Sequence, residues 1–276
     1  MTKPIVSIIV TTYNNQATLD ACLMSIVNQS YKHTEIIVVD NSSIDKTKQI
    51  AQIYTDKIYN VGPERCAQRN LGVSKSMGNY VLIIDSDMEL GIDVVQACIN
   101  QVTAQPKLKA LVIPEESFGR GFWAQCKRLE RSFYVGKPWM EASRFFETKT
   151  YLDVGGYDEQ LVSGEDWDLS QRIGDNAQTG RINEYIRHNE GYLRLLRTLK
   201  KKYYYAQKFA KYLAANKNRP STGSQTSILT RYGLFFSRPF QLFKRPDLGI
   251  GMLFMKTMEF AFGGFGYLIV RIRGLQ

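Results

Sequence analysis

Residues 80–84, Tyr-Val-Leu-Ile-Ile, form an unbroken β-favouring run that stops at Asp85-Ser86-Asp87. A run this short and this apolar reads as a fully buried strand. In open α/β sheets, ligands meet the carboxyl ends of strands. Two carboxylates at such an end are hard oxygen ligands, suited to Mg²⁺ or Mn²⁺ carrying a phosphate. Taken alone, Asp-x-Asp is equally compatible with acids that solvate a loop or cap the next helix.

The rest of the first two thirds repeats the theme. Strands are predicted at residues 6–11, 35–40, 57–60, 80–85 and 110–113, with a last one at 181–186. Helices are predicted at 17–29, at 45–53 with Asp45 as N-cap, at 65–77 closed by Gly78-Asn79, and at 92–104. Alternation of this kind argues for a parallel α/β sheet. Residues 114–149 lose the pattern and become aromatic, with Phe122, Trp123, Phe133 and Trp139 among them. Such rings are either a second layer of core or a platform under a sugar or lipid.

Charge separates the chain into an acidic and a basic part. Residues 187–276 hold 17 of the 36 Lys and Arg but only 3 of the 26 Asp and Glu. Residues 191–215 read as a helix bearing Lys200, Lys201 and Lys202, residues 216–227 as a polar linker, and 228–243 and 248–270 as apolar, aromatic stretches. Lys256 and Glu259 interrupt the last of these. The uncharged run 260–270 is short of the roughly 20 residues a spanning helix needs, so an interfacial amphipathic helix is expected. An anionic membrane surface is the first candidate partner for this tail, packing against a second copy the next. Nucleic acid is disfavoured because it would not bury residues 252–270. Cys22, Cys66, Cys98 and Cys126 have no metal-type spacing, and the N-terminal residues lack an apolar signal core. Both point to the cytoplasm.

Further polar groups are predicted at the edge marked by Asp85. Thr11-Thr12-Tyr13-Asn14 follows the first strand and Asp40-Asn41-Ser42-Ser43 the second. Arg69-Asn70-Leu71-Gly72 lies on the helix entering the fourth, and Gly155-Gly156-Tyr157-Asp158-Glu159 and Gly164-Glu165-Asp166-Trp167-Asp168 come later. In this order, over residues 4–190, the set resembles the family 2 glycosyltransferases.

The resemblance implies the GT-A fold, a Rossmann-like α/β/α sandwich with a mostly parallel central sheet. That fold would occupy residues 1–190, with a helical extension in 191–276. It implies inverting, metal-dependent transfer of a sugar from a UDP- or GDP-linked donor to an acceptor hydroxyl or phosphate. A lipid-linked acceptor at the inner membrane face is the expectation. By position, Thr11, Tyr13 and Asp40 would hold base and ribose, and Arg69 would neighbour the nucleotide or its phosphates. Asp85 would sit at ribose and metal, with Asp87 the direct metal ligand. Asp166 would be the general base, with Glu165 and Trp167 on the acceptor side. His188 would complete the metal shell or else be a hydrogen-bonded histidine at a strand end. Asn41 stands where the family often has Asp, so position 41 is not assigned as a ligand. The competing reading is a nucleotide-sugar-like binding module whose basic tail grips nucleic acid or a partner protein.

Overall fold

The structure, a computed structural model, describes residues 3–272. The chain divides into two compact units. The first comprises Met1–Glu115, Ala142–Glu159 and Glu165–Asn189; the second comprises Glu116–Glu141, Gln160–Gly164 and Glu190–Gln276.

In chain order the elements begin with β1 (Val6–Thr12), α1 (Leu19–Val27), β2 (Thr34–Asp40), α2 (Thr47–Gln52) and β3 (Ile58–Asn60). There follow α3 (Arg65–Ser74), β4 (Tyr80–Asp85), β5 (Met88–Leu90), α4 (Val94–Ala104) and β6 (Leu108–Val112). The aromatic stretch expected to be irregular is ordered into β7 (Glu115–Arg120), α5 (Phe122–Tyr134) and β8 (Ser143–Glu147). The chain continues through α6 (Thr148–Asp153), α7 (Glu165–Asn176), β9 (Gln178–Arg181) and β10 (Ile186–Tyr192). A single strand was expected over 181–186; two strands flank that segment instead.

Seven strands form one sheet in the order β3-β2-β1-β4-β8-β6-β9. All its pairings are parallel except those of β8, which runs antiparallel to both β4 and β6. Both faces are buried, as a mostly parallel sheet requires. Val6, Ile8 and Val10 face one core with Leu23, Val95 and Cys98, while Ile9, Ile37 and Val39 face the other with Val73, Tyr157 and Leu169. Each such aliphatic side chain contributes about 1.5–3 kcal/mol of burial. A Cβ on Gly72 would stand 2.3 Å from Ile9 Cγ2. The missing side chain lets α3 press onto β1, one turn beyond Arg69. Register does the rest of the positioning: Thr11 lies opposite Asp85, and Thr12 opposite Asp40.

The second unit holds β7, α5 and five helices: α8 (Leu195–Ala215), α9 (Pro220–Thr226), α10 (Ile228–Phe236), α11 (Pro239–Phe243) and α12 (Pro246–Ile272). The predicted linker at 216–227 contains α9. Lys256 and Glu259 do not interrupt α12. They are buried inside its packing, Lys256 Nζ lying 2.6 Å from Glu130 Oε1 and 2.9 Å from Glu259 Oε2. Paired this way the charges are compatible with burial. Among the described residues α12 alone is long and apolar enough to cross a membrane, by length and composition. All four cysteines are buried.

Candidate active site

The carboxyl ends of β1, β2 and β4 form the floor of the site. The two loops beyond β1 and β2 are tied together: Asn14 N donates to Ser43 Oγ at 2.7 Å, and Asn14 Oδ1 accepts from Ile44 N at 2.9 Å. Asn14 takes the left-handed conformation that this exchange needs, at φ 46°. Asp40 is wholly buried and accepts from Ser43 N at 2.8 Å and Ser43 Oγ at 2.5 Å, with Lys48 Nζ 3.5 Å away. Tyr13 is exposed at the end of β1. Asn41, which the sequence did not mark as a ligand, donates to Pro63 O at 2.9 Å.

Arg69 organises the centre. Its guanidinium has no exposed surface and is shared among three carboxylates. Nη1 donates to Asp166 Oδ1 at 2.9 Å and to Glu165 Oε1 at 3.4 Å; Nη2 donates to Asp85 Oδ1 at 3.0 Å. Below it the Tyr157 ring lies 4.8 Å from the guanidinium carbon. Arg69 was expected beside the nucleotide or its phosphates; its terminal nitrogens are bonded to Asp166, Glu165 and Asp85. The physical reason is depth: α3 sits so close to the sheet that its side chain ends among carboxylates of β4 and α7.

Those carboxylates differ electrostatically. Burial works to raise Asp85, yet Arg69, Arg144 and Arg65 outweigh it and hold the carboxyl far below the usual range. Thr11 Oγ1 adds a hydrogen bond to Asp85 Oδ1 at 2.9 Å. Asp166 is likewise lowered, Arg69 and Arg144 overcoming burial, and the Tyr157 hydroxyl donates to its Oδ1 at 2.9 Å. Glu165 moves the other way, raised by burial and then by the charge of Asp166, although Arg65 Nη2 lies 3.1 Å away. All three acids of the Glu165-Asp166-Trp167-Asp168 run open α7, where the helix dipole favours negative charge. Trp167 between them is half-buried.

Asp87 and His188 form a separate pair. Antiparallel pairing of β5 with β10 sets His188 opposite Met88, and His188 Nε2 lies 3.2 Å from Asp87 Oδ2. Asp87 Oδ1 is buried with no hydrogen-bond partner. Among the described residues no group of three or more His, Cys, Asp or Glu side chains gathers in metal-holding geometry. An orphaned carboxylate oxygen beside an imidazole nonetheless fits a divalent cation that takes its remaining ligands from phosphate and water.

Four supporting residues, Tyr157, Asn70, Arg65 and Arg144, escaped the sequence reading. Tyr157 lies in the glycine-containing run but was not singled out. Asn70 explains why that run is near: it donates to Tyr157 O at 2.9 Å and accepts from Tyr157 N at 2.9 Å and Tyr151 Oη at 2.7 Å. Arg65, which pairs with Glu165, carries no spacing signal. Neither does Arg144, whose Nε donates to Glu115 Oε1 at 2.5 Å.

Comparison with known proteins agrees with this architecture. Residues 7–157 match the model of glycosyl transferase family 2. The chain is similar to an uncharacterized glycosyltransferase of Haemophilus influenzae, 34% identical over 109 residues that cover 36% of this chain and 43% of that protein. It is also similar to a GalNAc(5)-diNAcBac-PP-undecaprenol beta-1,3-glucosyltransferase of Campylobacter jejuni, 27% identical over 180 residues, covering 59% of this chain and 57% of that protein. Mannosyltransferase PcManGT from Pyrobaculum calidifontis, solved in complex with GDP-Man and Mn²⁺, shares the fold with a TM-score of 0.59 at 16% identity, over 98% of this chain and 88% of that one. TarS 1-349 of S. aureus, in complex with UDP-GlcNAc, does so with a TM-score of 0.52 at 17% identity, over 98% and 92%. At such identities the structural likeness establishes the GT-A fold alone. The chain spans less than two thirds of the length of the curated relatives it matches.

Proposed function

The chain belongs to glycosyl transferase family 2 and is a glycosyltransferase, and from that premise we propose an inverting transfer in which Asp166 is the general base. The observation that carries this reading is the placement of Asp85 and Asp166 on opposite nitrogens of one buried guanidinium. It sets a carboxylate at a strand end, where a nucleotide binds, a short distance from a carboxylate free to attend an acceptor.

The donor is a nucleotide diphosphate sugar, UDP- or GDP-linked. Thr11, Tyr13 and Asp40 line its base and ribose, and Asp85 reaches the ribose end of the diphosphate. Both hydrogen bonds to Asp166 land on Oδ1, which leaves Oδ2 to accept the acceptor's proton. As that proton moves to Asp166, the acceptor oxygen bonds to the anomeric carbon from the face opposite the diphosphate. The bond from that carbon to the diphosphate oxygen breaks, and the electron pair leaves with the nucleotide. A positioned base of this kind contributes ~10²–10⁴-fold. Glu165 and Trp167 border the acceptor side. Asp87 and His188 would hold Mg²⁺ or Mn²⁺, the imidazole favouring Mn²⁺. When bound, the cation supplies Lewis-acid stabilisation of the leaving diphosphate. The Mn²⁺ in the PcManGT complex supports this assignment by analogy.

A lipid-linked acceptor at the cytoplasmic face of an anionic membrane accords with the second unit. Leu229 and Phe240 are 85% and 92% exposed, on helices flanked by Arg238, Lys244 and Arg245. The Campylobacter jejuni relative is itself named for a PP-undecaprenol substrate. Exposed apolar side chains with basic neighbours suit such a surface, each Lys or Arg near it adding roughly 1 kcal/mol. Pairing through the same face with a second copy is the alternative. Sedimentation with phosphatidylglycerol vesicles decides: binding lost in Phe240→Glu supports the membrane, and no binding with a dimeric mass supports the pair.

Thermal unfolding with UDP-N-acetylglucosamine, UDP-glucose and GDP-mannose, with and without Mn²⁺, tests the whole reading. A ligand of the native state raises the midpoint. No rise with any nucleotide sugar overturns it.

A further inference from the structure

Arg144 Nη1 is buried and has no hydrogen-bond partner, although the residue is only 7% exposed. An unsatisfied donor at such depth costs about 1–3 kcal/mol, so a well-formed site explains it best by what it is built to meet. The fold says where this donor stands. β8 runs antiparallel to β4 with Phe146 opposite Val81 and Phe145 opposite Leu82. Arg144 therefore lies at the end of β8 that adjoins the carboxyl end of β4. Side chains alternate along a strand, so Asp85 shares the face of Ile83; β8 is irregular against β6 at Arg144, between Phe145 and Ser143, and Arg144 lies close enough to Asp85, Asp166 and Tyr157 for its charge to act on all three. Phe146 and Ile83 belong to one core with Tyr157 and Leu169. That is the face on which α3 and α7 deliver Arg69 and Asp166.

Arg144 is thus a second guanidinium at the same edge; both guanidinia keep one unpartnered nitrogen, but in Arg69 it is the inner Nε, with both terminal nitrogens bonded, whereas in Arg144 it is the terminal Nη1. Its Nε is anchored by Glu115 at 2.5 Å. Asp85 and Asp166 are already bonded to Arg69. The remaining Nη1 needs an oxygen that the protein does not supply. In the proposed reaction, Asp85 attends the leaving diphosphate and Asp166 the incoming acceptor, and the transferred sugar must lie between them. We infer that Arg144 Nη1 hydrogen-bonds an oxygen of the transferred sugar, a ring hydroxyl or an acyl carbonyl, and so takes part in choosing the donor. The inference rests on the nucleotide-sugar reading of the site. Burial opposes the charge of Arg144, but Glu115, then Asp166 and Asp85, hold it firmly protonated, so the donor is present at every working pH.

The test is calorimetric titration of the full chain, wild type and Arg144→Met, with UDP-N-acetylglucosamine, UDP-glucose, GDP-mannose, UDP and GDP. For the nucleotide sugar that wild type binds, Arg144→Met raises the dissociation constant roughly ten-fold or more, the loss of one hydrogen bond to a charged donor. For the matching free nucleotide, the constant changes less than about two-fold, because no sugar is there to be read. Equal weakening of both, or of neither, overturns the inference. Arg144→Lys keeps a cation for Glu115 without the guanidinium fork, and it is read in the same way if the methionine variant does not fold. If wild type binds the nucleotide sugar and only the Arg144 effect is missing, this inference alone fails. If wild type binds none of the nucleotide sugars, the reading of the site fails and this inference with it.

Discussion

Arg69 Nη1 stands 2.9 Å from Asp166 Oδ1, and neither a loop nor a surface lies between them. A residue of helix α3 is bonded to one of helix α7, 97 positions later. The same guanidinium reaches Asp85 at 3.0 Å. Asp85 and Asp166, proposed for the leaving-group and acceptor ends, are thus held to one buried cation.

Removing that cation leaves buried carboxylates facing one another. Arg69→Met is expected to cost about 3–5 kcal/mol, the range for breaking a buried ion pair, and to abolish transfer. Arg69→Lys keeps the charge but cannot fork to three acids, and it should recover less than half of the lost stability. Urea unfolding at neutral pH measures both, and a wild-type midpoint in Arg69→Met would refute the organising role.

The two neighbouring acids of α7 respond oppositely to pH. Asp166 lies below its ordinary value of 3.8 when folded. Its contribution to stability is present above 3.8 and is lost as pH falls through the lower folded value. Glu165 lies above its ordinary 4.5, so its contribution is complete below 4.5 and is lost as pH rises through the higher folded value. On acidification the first proton therefore goes to Glu165, and Asp166 stays ionised, as the proposed base must. At pH 7, Asp166→Asn should destabilise the fold and stop transfer, whereas Glu165→Gln should not destabilise it. Unfolding midpoints and initial rates for the two variants decide, and an active Asp166→Asn ends the assignment of the base.

The metal role proposed for Asp87 and His188 is open to a direct binding test. Asp87→Ala is expected to remove most of the Mn²⁺-dependent part of nucleotide affinity, on the order of 10–100-fold, and His188→Gln to weaken Mn²⁺ more than Mg²⁺. Titration of UDP or GDP with each ion, and with chelator, reads this out. Identical affinities with and without ion in all three proteins would remove the metal role.

Gly164, just before Glu165, belongs to the second unit and has φ +83°. A Cβ there would stand 2.6 Å from the ring of Tyr212, itself fully buried with its hydroxyl on Gln225 at 2.5 Å. Gly164→Ala combines left-handed strain with a clash against an immobile ring, costing about 1–3 kcal/mol. Because the next two residues are Glu165 and Asp166, the rate should fall while free-nucleotide affinity stays unchanged. A variant with wild-type stability and rate would show that the turn is not under this constraint.

The sheet and its order of helices were legible because burial on both faces leaves a plain mark. Runs such as residues 80–84 are apolar throughout, and the polar residue that ends each run marks an edge. Residues 114–149 were not legible. α5 packs in the second unit, where Lys127 and Glu130 meet Lys256 and Glu259 at 2.6–3.5 Å. A buried charged network has no hydrophobic period to read. For the same reason Lys256 and Glu259 looked like breaks in an apolar stretch, when each compensates the other's burial.

By itself the sequence determined the alternation of strands and helices, the identity of the carboxylates at the strand ends and the basic excess past residue 187. These follow from local rules: side-chain period, capping and composition. Only the tertiary structure decided what Arg69 does. On a helix its side chain was equally suited to a phosphate or a carboxylate. The close approach of α3 through Gly72 takes it out of water, and a guanidinium out of water must be surrounded by acceptors. The acceptors come from β4 and α7, brought there by folding across 16 and 97 positions. Burial at the end of β8 leaves Arg144 Nη1 without a partner, a property that no single stretch of sequence contains.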